Sequence, residues 1–242
     1  MHVTNRQLHS PNQILFTDMA LLLCIDTSTT HASVALAKDA ALLGIKTNKT
    51  QKDHGSFLQP AIKVLLQETG FALKDLEAIA VTSGPGSYTG LRVGFASAKG
   101  LCYALNLPLI TIPTTVVMSE AARKEINTAN EFILCPMIDA RRMEVFTCLY
   151  TAQLDPLTAI AAKILEPGSF TAELDWQSVY FFGDGSAKWQ TICQHPGAHF
   201  LQIDWNASDM TELAEKKYGQ RAFTSLAYSA PEYGKEFHST QL

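Results

Sequence analysis

Along this chain, short unbroken apolar runs alternate with longer segments in which apolar residues recur every three or four positions. Leu21-Leu22-Leu23-Cys24-Ile25 is continuous, as a strand buried on both faces requires, and it ends in the polar turn Asp26-Thr27-Ser28-Thr29-Thr30. Strand-like runs from Ala32 to Ala37 and from Ala41 to Thr47 follow at hairpin distance, predicting three sequential strands at the edge of a mixed sheet. Between His54 and Gly70 the apolar positions are 58, 62, 65 and 66, and 57, 61 and 64. This is a helix with two usable faces, stopped by Gly70, with Pro60 expected in its first turn. A strand from Ala78 to Thr82, a helix ending at Leu105, a strand from Leu109 to Ile112 and a helix from Thr114 to about Lys124 complete the first half.

The pattern then begins again. Phe132 to Ile138 is a second apolar run ending in an aspartate, Asp139, and a shift of 113 residues lays Ile25-Asp26 on Ile138-Asp139. Another apolar strand, Val145 to Tyr150, comes next. Val179-Tyr180-Phe181-Phe182-Gly183-Asp184-Gly185-Ser186 echoes Val81-Thr82-Ser83-Gly84-Pro85-Gly86-Ser87, strand to glycine turn to helix. Two matches in one order predict a duplicated lobe. The expected division is an extension over 1–18, a first lobe over 19–112 and a smaller second lobe over 113–242. The final helix either stays with the second lobe or returns to the first.

Composition narrows the function. Hydrophobic residues make up 47% and charged residues 17%, the balance of an ordinary globular protein. Residues 1–110 carry 9 Lys and Arg against 7 Asp and Glu, and residues 111–242 carry 10 against 16. Neither half has a basic stripe able to neutralise a phosphate backbone, so the chain is not expected to grip nucleic acid unaided. Five cysteines without a Cys-x-x-Cys pair, several inside apolar runs, suit a reducing cytoplasm rather than a disulfide framework or a zinc site. No apolar run reaches the ~18–20 residues of a membrane span.

The chemistry concentrates at the turns. Ser83 to Arg92 joins a strand to a helix through Gly84 and Gly86, and Ser87 or Thr89 is placed to cap the helix. Such a junction directs backbone donors and a positive dipole end at an anion, typically a phosphate. It is not a Walker A loop, since no Gly-Lys-Ser/Thr follows. Asp26 either holds the water shell of Mg²⁺, with Thr27 and Ser28 near phosphate, or caps its own turn. Asp139, Gly183 and Gly185 would be the second-lobe counterparts. Glycines beyond residue 186 are isolated (Gly197, Gly219, Gly234), which leaves no glycine-rich adenosine clamp.

Three segments carry a family resemblance: Cys24 to Thr29 with Ala32 to Leu36, His54 to Pro60, and Gly84 to Gly94. Together with Ile138 to Val145 and the ending Ala230-Pro231-Glu232-Tyr233, they resemble the TsaB (YeaZ) family of bacterial tRNA threonylcarbamoyladenosine synthesis. The resemblance is good over 21–150 and thin beyond. It implies a duplicated actin-like α/β fold (ribonuclease H-like, ASKHA), each lobe a mixed sheet with flanking helices. It further implies a cytoplasmic, non-catalytic scaffold that pairs with a TsaD-like transferase, assembles with a TsaE-like ATPase and self-associates. tRNA would be met only indirectly, and no cofactor would be bound tightly, with ATP or ADP engaged only by the complex. The helix from Thr114 to Arg123 lacks the His-x-x-x-His pair a metal-bound transferase needs, and no His-Glu-x-x-His supports a peptidase. A small actin-like ATPase or kinase with its own nucleotide site is the alternative.

The expected partner surface is helical. On the helix after the glycine turn, Gly90, Gly94 and Ala98 are spaced by four, as are Ala96, Gly100 and Ala104, and small residues at that spacing let another helix approach closely. One stripe should pack on the chain's own sheet and the other face out. The first, with Leu101 and with Phe57, Leu58, Ala61, Ile62 and Leu65 from the preceding helix, is the expected interface.

Overall fold

The computed structural model describes residues 20–49 and 53–234; the amino-terminal extension lies outside the described residues. Strands β1 (Leu21–Asp26), β2 (Ala32–Lys38) and β3 (Ala41–Asn48) form an antiparallel meander. β4 (Ala78–Thr82) and β5 (Leu109–Ile112) add in parallel on the other side of β1, giving the order β3-β2-β1-β4-β5. The second sheet repeats this plan with β6 (Phe132–Asp139) in the place of β1. β7 (Glu144–Thr147) and β9 (Ala161–Ile164) pair antiparallel on one side, β10 (Ser178–Phe182) and β11 (Ala198–Leu201) parallel on the other. Helices α1 (His54–Thr69), α2 (Tyr88–Leu105) and α3 (Thr114–Glu125) follow β3, β4 and β5. Helices α4 (Thr171–Trp176), α5 (Ser186–Gln190) and α6 (Thr211–Gly219) follow β9, β10 and β11 in the same way. The duplicated actin-like α/β architecture is therefore present in the connectivity itself.

The period of two along β1 divides the first core. Leu21, Leu23 and Ile25 meet α1 and α2, with Leu58, Leu65, Phe95, Ala98 and Cys102. Leu22 and Cys24 face the opposite layer, where Ala207 and Met210 of a 3-10 turn (Ala207–Met210) and Ala214 of α6 are packed. α6 thus covers the first sheet although it follows the last strand of the second. α3 makes the reverse crossing: Met118, Ala121 and Ala122 pack with Phe132, Leu134 and Phe182, while Val117 still touches the first-sheet cluster. Trp189, Leu174 and Phe181 fill the outer layer of the second lobe.

Local signals act where they were expected, with two exceptions. Asp53 caps α1 by accepting from the Ser56 N–H at 3.3 Å, and Gly70 ends it at φ +78°. Because α1 starts at His54, Pro60 lies in its second turn rather than the first. There its missing N–H leaves the Ser56 carbonyl without an intrahelical partner, on a face where both residues meet water. The strand expected from Val145 to Tyr150 is split at Cys148-Leu149 into β7 and β8 (Tyr150–Thr151). The register is the same on either side, Met137 opposite Thr147 and Leu134 opposite Tyr150. In between lies Pro136, which has no N–H for a ladder, and the Leu149 N–H donates to the Thr158 hydroxyl instead.

The crossing of α6 onto the first sheet yields the first prediction. Met210 is fully buried against that sheet, so Met210→Ala should cost about 2–5 kcal/mol by urea denaturation, a typical price for emptying a core methionine site. A loss below about 0.5 kcal/mol would mean that this layer contributes little to holding the first sheet.

Candidate functional site

The turn after β1 is built around one carboxylate. Asp26 is buried, and its Oδ1 accepts from the Ser28 N–H (2.9 Å), the Ser28 hydroxyl (2.7 Å) and the Thr82 hydroxyl (3.0 Å) at the end of β4. Burial pushes this carboxyl above the ordinary carboxylate range, against the pull of those three hydrogen bonds. Asp26 therefore spends its acceptor on its own turn, and neither it nor Thr27 lines the cleft between the lobes.

The glycine turn lies directly on this structure. The Ser87 N–H donates to the Ser28 carbonyl at 2.7 Å, and a Cβ on Gly86 would land on that same carbonyl oxygen. Ser87 caps α2 through its hydroxyl, which accepts from the Gly90 N–H at 3.3 Å. Thr27 donates its hydroxyl to the Gly90 carbonyl at 2.7 Å. A Cβ on Gly90 would meet the Thr27 carbonyl, and one on Gly94 the Thr27 hydroxyl. One of the donors at the mouth of α2, the Ser87 N–H, is thus occupied by the protein's own Ser28 carbonyl.

The second-lobe turn is built differently. Asp139 accepts from the Arg141 N–H (2.6 Å) and pairs with the Lys188 ammonium (2.8 Å), while its own N–H donates to Asp184 Oδ1 (2.9 Å). Partial burial works against ionisation of Asp139, but Lys188 and the Arg141 N–H hold its carboxyl below the ordinary range. Gly183 and Gly185 let β10 close on β6: a Cβ on the first would strike Met118 and the Met137 carbonyl, and one on the second lies 2.6 Å from Val145. Lys188 is a feature that sequence patterns missed; its one signal is its place two residues after Ser186, on the first turn of α5.

Between the two turns runs a cleft of about 990 Å³. The structure brings Ser28, Gly86 and Ser87 to one wall and Asp139 and Gly183 to the other; Gly84 and Gly185 do not line it. Its charged lining is acidic, with Glu125, Asp139, Asp184 and Asp204 and neither lysine nor arginine. Polyphosphate would meet repulsion here rather than a cradle. Among the described residues no group of three or more His, Cys, Asp and Glu is arranged to hold a metal ion.

The helical face differs from expectation in direction. Gly90, Gly94 and Ala98 are buried against the chain's own β1–β2 turn and sheet, and Leu58, Ala61, Ile62 and Leu65 fill the first core. Phe57 and Leu101 keep partial exposure at its margin. The outward stripe of α2 is the other one. Tyr88, Arg92, Ala96 and Gly100 follow at intervals of four, with Ala104 and Tyr103 (83% exposed) on the next turn, and a Cβ on Gly100 would meet open space. The Arg92 guanidinium lies 3.9 Å from the Tyr88 ring centroid.

Comparison with known proteins places this geometry. Residues 29–192 match the family model described as TsaD, tRNA N6-adenosine threonylcarbamoyltransferase. The tRNA threonylcarbamoyladenosine biosynthesis protein TsaB of Escherichia coli is 34% identical over 222 residues, 88% of this chain and 93% of that protein. TsaB of Haemophilus influenzae is 30% identical over 227 residues, 88% and 92% of the two chains. With TsaB of Bacillus subtilis the match is 33% over 129 residues and spans only 54% of that relative. Among solved structures, YeaZ from Pseudomonas aeruginosa is similar with a TM-score of 0.72 at 26% identity, covering 89% of this chain and 100% of that one. A second Pseudomonas aeruginosa structure, titled as an uncharacterized protein with similarity to peptidase YEAZ, reaches a TM-score of 0.78 over 90% of this chain. With sequence similarity over most of both chains and this duplicated fold, the chain belongs to the TsaB (YeaZ) family.

Proposed function

We propose that this chain is a non-catalytic subunit in the synthesis of threonylcarbamoyladenosine on tRNA, orienting a TsaD-like transferase in the cytoplasm. The observation that carries the non-catalytic role is the Ser28 carbonyl on the Ser87 N–H. An actin-like kinase would hold phosphates on paired turns that face each other across the cleft between the lobes. Here the first-lobe turn gives its Ser87 N–H to the Ser28 carbonyl, and in the second-lobe turn Lys188 is paired with Asp139. The reaction class comes from the names of the relatives, and the division of labour from this chain's own physics. With an acidic second half and no basic groove, the chain adds little to tRNA affinity, so the partner holds the anticodon loop. Nucleotide, where it acts, belongs to the complex and to a TsaE-like ATPase.

The outward stripe of α2 is the surface we assign to the partner. Ala96, Gly100 and Ala104 form its flat centre, Tyr88 with Arg92 stands at one end and Tyr103 at the other. A helix of the partner laid along that centre can approach to the short end of the ~8–10 Å interaxial range, with aromatic anchors at both ends. Val64, 40% exposed, and the margin of Phe57 and Leu101 extend the face onto α1. A two-fold contact of two such faces would bury on the order of 1,600 Å² in total, enough for a homodimer that competes with the transferase for one surface.

Two predictions separate this reading from its rivals. In a reconstitution with a TsaD-like transferase, the ATPase and the adenylate-forming enzyme, leaving this chain out should abolish modification. Gly100→Arg should lower it at least about tenfold at sub-saturating protein, because an arginine in the interface centre costs upwards of ~1.4 kcal/mol of binding. Its circular dichroism and melting temperature should stay at wild type, since that position opens to solvent. Gly94→Arg should instead lose the folded state, for its side chain would have to displace Thr27. Unchanged modification with Gly100→Arg would remove α2 as the partner surface, and unchanged modification without the chain would remove the function.

The second is that titration of the isolated protein with Mg-ATP shows no saturable heat. Binding with Kd below about 100 μM, lost on Asp139→Ala, would instead establish an independent nucleotide site and favour an ATPase or kinase.

A further inference from the structure

After α6 the described residues, up to 234, return across the molecule without further helix or strand. Thr224 bridges to Leu109 at the edge of β5, and its hydroxyl lies 2.8 Å from that of Thr111. Leu226 packs at the margin of the first core. The Ser229 carbonyl accepts from the Lys99 ammonium of α2 at 2.9 Å. The Glu232 N–H donates to the Ser83 carbonyl at 2.7 Å, and the Glu232 carbonyl occupies the space that any side chain at Gly84 would need. Tyr233 then closes over the start of α2: its ring is 4.8 Å from that of Tyr88, and its hydroxyl accepts from Arg92 Nε at 2.9 Å. One residue later the chain is against the other lobe, where Gly234 lies so close to the Phe146 ring of β7 that a Cβ would collide with it.

We infer that residues 225–234 form a strap that ties the outer end of α2 and the glycine turn to the second lobe, so that this end of α2 and the spacing of the cleft walls move together. The two other crossings between the lobes, through α3 and through α6, are packed in apolar cores. Beyond Leu226 at the margin of the first core, the strap is held by two backbone contacts, one clasp and one close approach, so it is the crossing that can yield without unfolding either sheet. It lines no part of the cleft. Its hold on the cleft is mechanical: Ser83 and Gly84 lead into the turn whose Gly86 and Ser87 form one wall, and Phe146 is opposite Ile138, which lines the other. Whatever presses on Tyr88 or Arg92 presses on Tyr233, and through Gly234 on β7. The strap is a property of the isolated chain and does not depend on which partner covers α2.

Amide hydrogen exchange on the isolated full-length protein tests this. Tyr233→Ala removes the clasp, and Glu232→Pro removes the N–H that holds Ser83. In each, exchange at the cleft walls, residues 28–31 and 183–187, should speed up at least about fivefold, while β1 and β6 stay at wild-type rates. Tyr228→Ala, in the same segment but 91% exposed, should change neither. Unchanged cleft walls in both variants would overturn the strap. So would equal acceleration of β1 and β6, which would make the segment a part of the common core. An equal response to Tyr228→Ala would show that the contacts at 232–234 are not the link.

Discussion

The contact on which the rest of this molecule depends is the seat of the β1–β2 turn against the glycine turn and the first two turns of α2. Thr27 and Ser28 press their backbone and hydroxyl groups into positions where Gly86, Gly90 and Gly94 carry no side chain, and three hydrogen bonds to buried Asp26 keep the turn from relaxing. Each of those donors is buried, and losing its acceptor costs on the order of 1–3 kcal/mol, so the turn has one stable shape. That shape fixes how closely α2 lies on the sheet and which of its faces is left for solvent. It also ties the Ser87 N–H to the Ser28 carbonyl. One constraint thus sets both the shape of this cleft wall and the face of the helix that is left outward.

The second lobe shows that the duplication preserves topology more strictly than chemistry. Strand order and helix placement repeat, yet Asp26 is buried and takes hydrogen bonds from two hydroxyls, while Asp139 is exposed enough to pair with a lysine. Along the parallel ladders, counted from positions equivalent under the 113-residue shift, Gly84 is five residues past Ile79, the partner of Leu23, whereas Gly183 is one past Phe182, the partner of Pro136. The glycines of the two turns do not occupy equivalent depths. The two aspartates differ likewise: Asp26 is held by its neighbours Ser28 and Thr82, and Asp139 by Lys188.

Much of this was legible in the residues. The unbroken run of β1, the capping of α1 and α2 and the repeat of strand-then-aspartate are local statements, and local chemistry decides them. Asp26 as the cap of its own turn was legible too, because Asp-x-Ser offers its side chain a donor two residues on. The direction of the small-residue stripes was not. Spacing by four says that two faces of α2 are flat, but a glycine looks the same in sequence whether it makes room for the chain's own Thr27 or for a partner. The split of β7 from β8 required knowing that Pro136 is opposite Cys148 rather than merely near it. The clasp of Tyr233 on Arg92, 141 residues apart, has no sequence signal at all.

Charge bears on what this chain can meet. Its cleft lining and its second half are acidic, and the cation displayed on the outward stripe of α2 is Arg92, held by Tyr88 and Tyr233. A guanidinium stacked on the Tyr88 ring and hydrogen-bonded to the Tyr233 hydroxyl has little freedom left to lose, so using it in an interface costs less ordering entropy than recruiting a solvated lysine. The hydrogen bond that Arg92 donates to the Tyr233 hydroxyl pushes the guanidinium further above its ordinary range. An acidic or aromatic group on the partner would find it ready-placed at the end of a flat helix face. The same residue is the near anchor of the strap, so the proposed point of recognition and the proposed point of attachment to the second lobe coincide in one side chain.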